Sequence, residues 1–255
     1  MAPSLLFRCL SIPRAVPSRI DTMANDGPIG PIDLVFSDQF ATIIALPPCP
    51  KKIQRIQGGM AKLFFNYSTM NAGKSTVLLQ ASHNYREHGM NTYLLTAQID
   101  GRAGTGRIAS RIGIGSEADT FCTTDDLLAI VSARHKKETL ACIFVDEAQF
   151  LTPDQVWQLA RVVDDLNLPV LCYGLRVDFR GELFPGSASL LALADEMREV
   201  RTICRCGRKA TMVIRQDEQG NAIIKGDQVQ IGGNETYVSL CRRHWREAVG
   251  DRPQS

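Results

Sequence analysis

Four short, predominantly apolar runs are spaced along the middle of the chain. They cover Leu63–Tyr67, Asn91–Thr96, Leu140–Val145 and Pro169–Gly174. Runs of this length with little polar alternation are typical of strands that are buried on both faces, as in a parallel sheet. The pattern therefore predicts the inner strands of an α/β fold.

Helical periodicity occupies the segments between these runs. Apolar positions from Val77 onward suit a helix that continues to Arg86 and stops near Gly89, because glycine commonly ends a helix. Further helices are predicted over Thr124–Lys137, Pro153–Leu166 and Ser187–Glu199. Because strands and helices alternate, we expect βαβ units: a parallel sheet with helices on both faces.

A loop joins the first predicted strand to the first helix. It consists of Ser68, Thr69, Met70, Asn71, Ala72, Gly73, Lys74 and Ser75, and fits the phosphate-binding pattern G-x-x-x-x-G-K-[ST] except at its first position. Lys74 is suited to bridge terminal phosphates, and the Ser75 hydroxyl to hold magnesium. An ordinary tight turn is the alternative. The strand, loop and helix together favour a P-loop NTPase-like, RecA-like sheet that binds ATP.

Two acids, Asp146 and Glu147, follow the apolar run that begins at Leu140. The carboxyl end of a central strand lies beside the phosphate loop in a doubly wound sheet, so these acids complete a nucleotide site. Adjacent residues at a strand end point in different directions. We expect Asp146 to face the water shell of magnesium and Glu147 to accept a substrate proton. Surface acids at the start of a loop are the alternative.

Two loops that follow predicted strands carry polar residues of interest. The glycine-rich segment 100–107 is followed by Ser110-Arg111. Its acid, Asp100, and the three arginines Arg102, Arg107 and Arg111 could face a phosphate and its metal or lie in a solvated loop. Composition alone leaves both interpretations open. The later segment, Leu175–Phe184, mixes aromatic and charged residues, a composition that suits a pocket for a flat base.

Cysteine and histidine residues mark the last section of the chain. Its pairs Cys204-x-Cys206 and Cys241-x-x-His244 supply three thiolates and one imidazole, which suits structural zinc. Free thiols beside a surface histidine are the alternative. The other five cysteines are scattered, so we expect no disulfide framework and a reducing cytosol. The predicted organisation is a kinase domain over 60–203, a zinc-stapled lid over 204–248 and a flexible tail over 249–255.

The first 59 residues differ in composition from the rest. They hold eight of the twelve prolines and show no sustained periodicity, which predicts a disordered segment. Three early arginines and the apolar residues Leu5, Leu6 and Phe7 weakly resemble a targeting peptide. The favoured interpretation is an unstructured leader, such as translation from a start upstream of Met60 would produce.

Charge and hydropathy exclude two classes of partner. The formal net charge of +2 gives no indication of a nucleic-acid surface. No apolar run reaches the roughly 20 residues that a membrane helix needs. We therefore expect a soluble, cytoplasmic protein that binds neither nucleic acid nor a membrane.

Four groups of residues occur together in this chain. They are the phosphate loop, Val145–Phe150, Tyr173–Gly181, and Ile231–Tyr237 followed by Cys241-x-x-His244. This combination resembles the zinc-containing type II thymidine kinase family of bacteria. The resemblance covers about Met60 to Ala248 and leaves the leader outside it. It implies ATP-dependent phosphorylation of the 5′-hydroxyl of thymidine, and of deoxyuridine as a second substrate, in nucleoside salvage for DNA synthesis.

Residue roles also follow from the resemblance. Glu147 matches the proton acceptor of the family, Asp100 and Arg102 match residues that assist the metal and the phosphates, and Asp146 and Gln149 belong to the nucleotide site. The thymine pocket is matched by Met70, Phe150, Leu175, Phe179 and Tyr237, with backbone groups of Ile231 and Gly232 at the base edge. The resemblance further implies a homotetramer that thymidine triphosphate inhibits.

Two other classes of protein share part of this pattern. The run Asp146-Glu147-Ala148-Gln149 is similar to the second motif of DExD/H helicases, but the chain after it is too short for a second motor domain. A non-catalytic, zinc-stapled nucleotide-binding module is the other alternative. Stimulation by single-stranded nucleic acid would indicate the helicase, and binding without turnover the module.

Overall fold

The structure is a computed structural model that describes residues 59–99, 106–228 and 236–250. Its strands, in chain order, are β1 (Leu63–Ser68), β2 (Asn91–Ala97), β3 (Arg107–Ala109), β4 (Gly115–Glu117), β5 (Asp119–Phe121), β6 (Leu140–Asp146), β7 (Val170–Leu175), β8 (Glu196–Glu199), β9 (Met212–Gln216), β10 (Ala222–Ile223) and β11 (Tyr237–Leu240). Its helices are α1 (Lys74–Glu87), α2 (Leu127–Lys137), α3 (Pro153–Leu166), α4 (Pro185–Leu193) and α5 (Arg242–Val249).

Six of these strands form one parallel sheet in the order β5-β2-β6-β7-β1-β8. Only β7 separates β1, which leads into the phosphate loop, from β6, which ends on the two acids. Parallel strands end at the same edge of a sheet, so both motifs lie on that edge. The parallel α/β sheet predicted from the sequence is confirmed.

Helices cover both faces of the sheet. Successive side chains of a strand point to opposite faces, and β1 accordingly sends Phe64 to one core and Phe65 to the other. The core around Phe64 includes Leu78 and Leu79 of α1. The core around Phe65 is completed by apolar side chains of α2, α3 and α4. The prediction of helices on both faces is confirmed.

The prediction that the helix over Ser187–Glu199 continues to Glu199 is wrong. Helix α4 ends at Leu193, and Glu196–Glu199 is the edge strand β8, which pairs with β1. The Asp195 N–H donates to the Leu63 carbonyl at 2.9 Å and begins this pairing. The sequence Glu-Met-Arg-Glu favours a helix locally, and an edge strand shows no apolar run, so a non-local contact decides the structure.

The C-terminal section has its own small sheet and core. Strands β9, β10 and β11 pair antiparallel in the order β10-β9-β11. Their core joins Ile214 and Leu240 to Cys204 and Cys241. The domain boundaries at 203 and 248 stay predictions, as does the leader, which lies outside the described residues. Across the described ranges, every helix is too short or too polar to span a bilayer.

Candidate active site

The phosphate loop connects the end of β1 to the first residue of α1. Gly73 caps the helix with a φ of 81°, and Asn71 also has a positive φ, of 61°. Ser68, which stands where the pattern has glycine, is buried, and its hydroxyl donates to the Val200 carbonyl beyond β8. Its φ is not positive. Serine therefore fits this position because its side chain bonds inward rather than toward the loop.

Lys74 is the first residue of α1 and is largely buried, at 8% exposure. Its ammonium donates to the Thr69 carbonyl at 3.1 Å, so the side chain folds back over the loop. A buried ammonium is costly unless negative or polar groups surround it. The loop thus holds its cation at the place where a phosphate chain would lie.

A cavity of about 410 Å³ brings the loop and the acids together. Asp146 and Glu147 end β6 and open the following loop, and both are buried. The described residues that line the cavity are Met70, Asn71, Ala72, Gly73, Lys74, Ser75, Thr76, Thr96, Arg107, Ile108, Ala109, Ser110, Arg111, Ile112, Asp146 and Glu147. The structure therefore places the acids beside the phosphate loop, as the sequence predicts.

The surroundings of Asp146 perturb the pKa of its carboxyl group. Burial, and to a lesser extent the neighbouring Glu147, raise the pKa of Asp146 to about 7, while the Ser75 hydroxyl and Lys74 act in the opposite direction. A buried carboxylate is stabilised by positive charge. The site therefore favours a cation beside Asp146 and Ser75.

Glu147 has an unusual backbone conformation for its residue type. Its φ of 52° and ψ of 40° lie in the left-handed region, which non-glycine residues rarely occupy. The conformation turns the chain from β6 into a short 3₁₀ helix, Ala148–Phe150. The Gln149 amide donates to the Glu147 carboxylate at 2.5 Å from within this turn.

A hairpin made by β3 and β4 forms another wall of the cavity. Arg107, Ser110 and Arg111 line the space, and the Ser110 hydroxyl hydrogen-bonds to that of Thr76 on α1. Composition left open whether Arg107 and Arg111 face a phosphate or lie in a solvated loop, and the structure places both at the wall of the cavity. The hairpin itself was not predicted, because strands of three residues leave little periodic pattern. Arginines within and after a glycine-rich segment were the signal for this part of the site, whereas no role was predicted for Ser110.

The four predicted metal ligands meet in the C-terminal section. The ligand atoms of Cys204, Cys206, Cys241 and His244 all lie within 4.8 Å of one another. Tetrahedral zinc separates two sulfurs by about 3.8 Å, and a sulfur from a nitrogen by about 3.6 Å. The Cys206 and Cys241 sulfurs are 3.9 Å apart, and the sulfurs of Cys204 and Cys241 are 3.1 and 3.6 Å from His244 Nδ1. The cluster has the dimensions of a zinc site.

Comparison with known proteins agrees with this geometry. The thymidine kinase family model matches residues 61–245, a range that contains the phosphate loop, both acids and the four metal ligands. The chain belongs to the thymidine kinase family. The thymidine kinase of Ruegeria pomeroyi is 79% identical over 192 residues, which are 75% of this chain and 97% of that protein. That of Jannaschia sp. is 73% identical over 194 residues, 76% of this chain and 100% of that protein.

The thymidine kinase of Agrobacterium fabrum is 63% identical over 188 residues, 74% of this chain and 97% of that protein. These relatives are bacterial, in agreement with the resemblance found in the sequence. Because the chain belongs to the thymidine kinase family, the interpretation of Asp146-Glu147-Ala148-Gln149 as a helicase motif is set aside. The roles of individual residues stay predictions.

Two residues that match the thymine pocket of the thymidine kinase family lie near Glu147. Phe150 closes the 3₁₀ helix, and its ring meets that of Phe184 edge-on, with centroids 6.2 Å apart. Leu175 ends β7, and its N–H donates to Gln149 Oε1 at 3.0 Å. One glutamine thus connects the expected proton acceptor to this part of the expected pocket.

Two other positions expected in the thymine pocket, Met70 and Tyr237, meet at the phosphate loop. The Ser239 hydroxyl of β11 donates to the Met70 carbonyl at 2.6 Å, and the Asn71 amide donates to the Tyr237 carbonyl at 3.5 Å. Strand β11 therefore runs alongside the loop. The end of this strand leads directly to Cys241, so the metal cluster and the phosphate loop are joined by a single short strand.

Phe179 is deeply buried where the C-terminal section meets the loop after β7. The Arg215 guanidinium lies over its ring at 4.2 Å, and the Trp245 indole donates to its carbonyl at 3.1 Å. Four further predicted site residues, Asp100, Arg102, Ile231 and Gly232, lie outside the described residues.

Proposed function

We propose that this chain transfers the γ-phosphoryl group of ATP to the 5′-hydroxyl of thymidine in nucleoside salvage. The observation that supports this proposal most directly is that the phosphate loop and the two acids line one cavity. Family membership supplies the substrate, because the relatives are thymidine kinases.

Positioning and charge account for most of phosphoryl transfer, since the reaction asks little covalent chemistry of the protein. The loop N–H groups and Lys74 hold the triphosphate, and the helix N-terminus adds a favourable dipole. Glu147 takes the proton of the attacking hydroxyl. Its place at the wall of the cavity, one residue beyond Asp146, suits it to face a nucleoside.

Magnesium is the expected partner of the nucleotide. The Ser75 hydroxyl and the Asp146 carboxylate are hard oxygen ligands of the kind that magnesium prefers, and they approach one another beside Lys74. When bound, the ion neutralises charge on the phosphates. The Asp100 carboxylate and the Arg102 guanidinium are proposed to assist there.

Zinc is the expected ion of the Cys204, Cys206, Cys241 and His244 cluster. Burial would raise the pKa of the Cys204 thiol, but hydrogen bonds from His244 and from backbone N–H groups outweigh it and lower that pKa to about 6. Four protein ligands leave no open position, which is characteristic of structural zinc. We propose that the site fixes a lid that closes over the nucleoside.

Replacing a metal ligand should affect thymidine more than ATP. Cys241→Ser is expected to lose zinc and to weaken thymidine binding at least tenfold, with ATP affinity changed only a few-fold, because β11 and α5 flank Cys241 whereas β1 and α1 are anchored in the main sheet. Metal content by mass spectrometry and both dissociation constants test this. Cys122→Ser, a half-buried thiol outside the cluster, is the control. Full zinc content in Cys241→Ser would contradict the ligand set.

Further properties are proposed for this chain on the family resemblance and, for its location, on the scattered cysteines. They are a homotetrameric assembly, feedback inhibition by thymidine triphosphate, acceptance of deoxyuridine and a cytoplasmic location. The pocket positions Met70, Phe150, Leu175, Phe179 and Tyr237, with Ile231 and Gly232, are proposed to hold the base.

A nucleoside panel tests the proposed function. Purified protein with magnesium and ATP is incubated with each common nucleoside and deoxynucleoside, and the monophosphates are separated by chromatography. Thymidine monophosphate is expected as the main product. Nucleotide binding without any monophosphate would favour the non-catalytic module, and ATP hydrolysis that single-stranded nucleic acid stimulates would favour a motor protein.

A further inference from the structure

Both the nitrogen and the oxygen of the Gln149 amide form hydrogen bonds inside the protein. Its nitrogen donates to Glu147 Oε2 at 2.5 Å, and its oxygen accepts from the Leu175 N–H at 3.0 Å. The residue is only 2% exposed and, unlike Asp146 and Glu147, is not among the described residues that line the cavity. A residue that contacts the nucleotide directly would line the cavity, and Gln149 does not.

The two bonds determine the orientation of the amide, that is, which position holds its oxygen and which its nitrogen. A backbone N–H can only donate, so the group facing Leu175 must be the amide oxygen. The amide nitrogen then faces Glu147 and can only donate to it. The carboxylate is therefore held as an acceptor at its Oε2 atom.

Close packing holds this turn in place from two sides. A Cβ on Gly174 of β7 would lie 2.9 Å from Gln149 Oε1 and 3.0 Å from the backbone nitrogen of Gln149. A Cβ on Gly186 of α4 would lie 2.6 Å from the Leu151 carbonyl and 2.7 Å from that of Ala148. Both glycines allow β7 and α4 to approach more closely than any other residue would. The amide has little freedom to turn away.

The conformation of Glu147 makes such support necessary. A glutamate in the left-handed region is strained, and such strain persists only where the surroundings fix it. The Glu147 N–H donates to Asp146 Oδ1 at 3.0 Å on one side, and Gln149 holds the carboxylate on the other. Positioning of a reacting group to within a fraction of an ångström has large effects on rate.

We infer that Gln149 is a positioning residue that orients the carboxylate of Glu147 and ties it to the Leu175 end of β7, rather than a ligand of the nucleotide. Leu175 matches the thymine pocket, so the same bond connects the proton acceptor to a wall of that pocket. This inference rests on the proposed function, because it assigns Glu147 the hydroxyl proton.

Two substitutions separate positioning from nucleotide binding. Gln149→Met removes both bonds, and Gln149→Glu keeps the size and the acceptor for Leu175 but cannot donate to an ionised Glu147. We expect kcat to fall about 10- to 100-fold in each, as for the loss of outer-shell partners in other sites. The dissociation constants of ATP and thymidine should stay within threefold of the wild type.

The same two substitutions in a Glu147→Gln background give the decisive comparison. If Gln149 acts only through Glu147, replacing it in the Glu147→Gln background should lower kcat less than threefold, because the carboxylate that it orients is already absent. Gln155→Met is the matched control: Gln155 is equally buried and bonds to the Cys122 and Asp125 carbonyls, remote from the acids. Its kcat should remain that of the wild type even if its thermal midpoint falls.

Three results would overturn the inference. A tenfold weaker ATP affinity with unchanged kcat in Gln149→Met would make Gln149 a nucleotide ligand. An equal loss of kcat in both backgrounds would make it a general structural residue, and unchanged kinetics would give it no role. Failure of the wild type to phosphorylate thymidine would instead defeat the proposed function, so the two failures are distinguishable.

Discussion

Replacing Glu147 with glutamine is expected to lower kcat for thymidine by about 10²- to 10⁴-fold while both substrates still bind, as is typical of general-base loss. The substitution preserves the shape of the side chain, and its amide oxygen can still accept from Gln149. It removes only the ability to take a proton. Steady-state rates together with dissociation constants for ATP and thymidine measure the separation.

An acid outside the cavity is the control for this change. Glu138→Gln removes the partner of Arg134 at the end of α2, where the ion pair is exposed, and should leave kcat unchanged. Near-normal turnover in Glu147→Gln would end the assignment of Glu147 as proton acceptor. Positioning of the phosphates and the hydroxyl would then have to account for the whole rate.

Lys74→Ala is expected to weaken both binding and turnover. The ammonium serves ground-state ATP and the charge that develops on the transferring group, so its loss should raise the ATP dissociation constant at least tenfold and lower kcat about 10²- to 10³-fold. This double effect distinguishes it from Glu147→Gln. Equilibrium binding of ATP and steady-state kinetics on the same preparation measure both quantities.

The matched control is a lysine that is not in the loop. Lys62 pairs with Glu196 at 2.7 Å, and its side chain is 51% exposed, so Lys62→Ala should change neither quantity. Unaltered ATP affinity in Lys74→Ala would show that loop N–H groups alone hold the phosphates. An Arg replacement, Lys74→Arg, should recover part of the affinity if charge is the main contribution.

Local sequence signals predicted the main sheet and some element ends closely. Helix α3 spans Pro153–Leu166 as predicted, because Thr152 and Gln155 form a capping box and Pro153 occupies the first turn. Helix α2 begins at Leu127, three residues later than expected, because Asp126 caps it by accepting from the Ala129 N–H. Caps fix helix ends where periodicity alone leaves them uncertain.

Features that depend on distant partners could not be predicted. The polar edge strand β8 exists because β1 offers it a pairing surface, and the hairpin of β3 and β4 is too short to leave a pattern. The orientation of Gln149 depends on the Leu175 N–H, 26 positions later in the sequence, and on the close approach that Gly174 allows. By contrast, the spacing of cysteines and histidine sufficed to identify the metal cluster, since ligand chemistry is strict.

Two hydrogen bonds join β11 to the phosphate loop, so we expect the proposed ATP and thymidine sites to be thermodynamically linked. If bound ATP orders Met70 and Asn71, these bonds should also favour the position of the strand that holds Ser239 and Tyr237. Linkage is reciprocal, so thymidine must then strengthen ATP binding by the same factor by which ATP strengthens that of thymidine. We therefore expect nucleotide analogues to bind more tightly when thymidine is present than when it is absent.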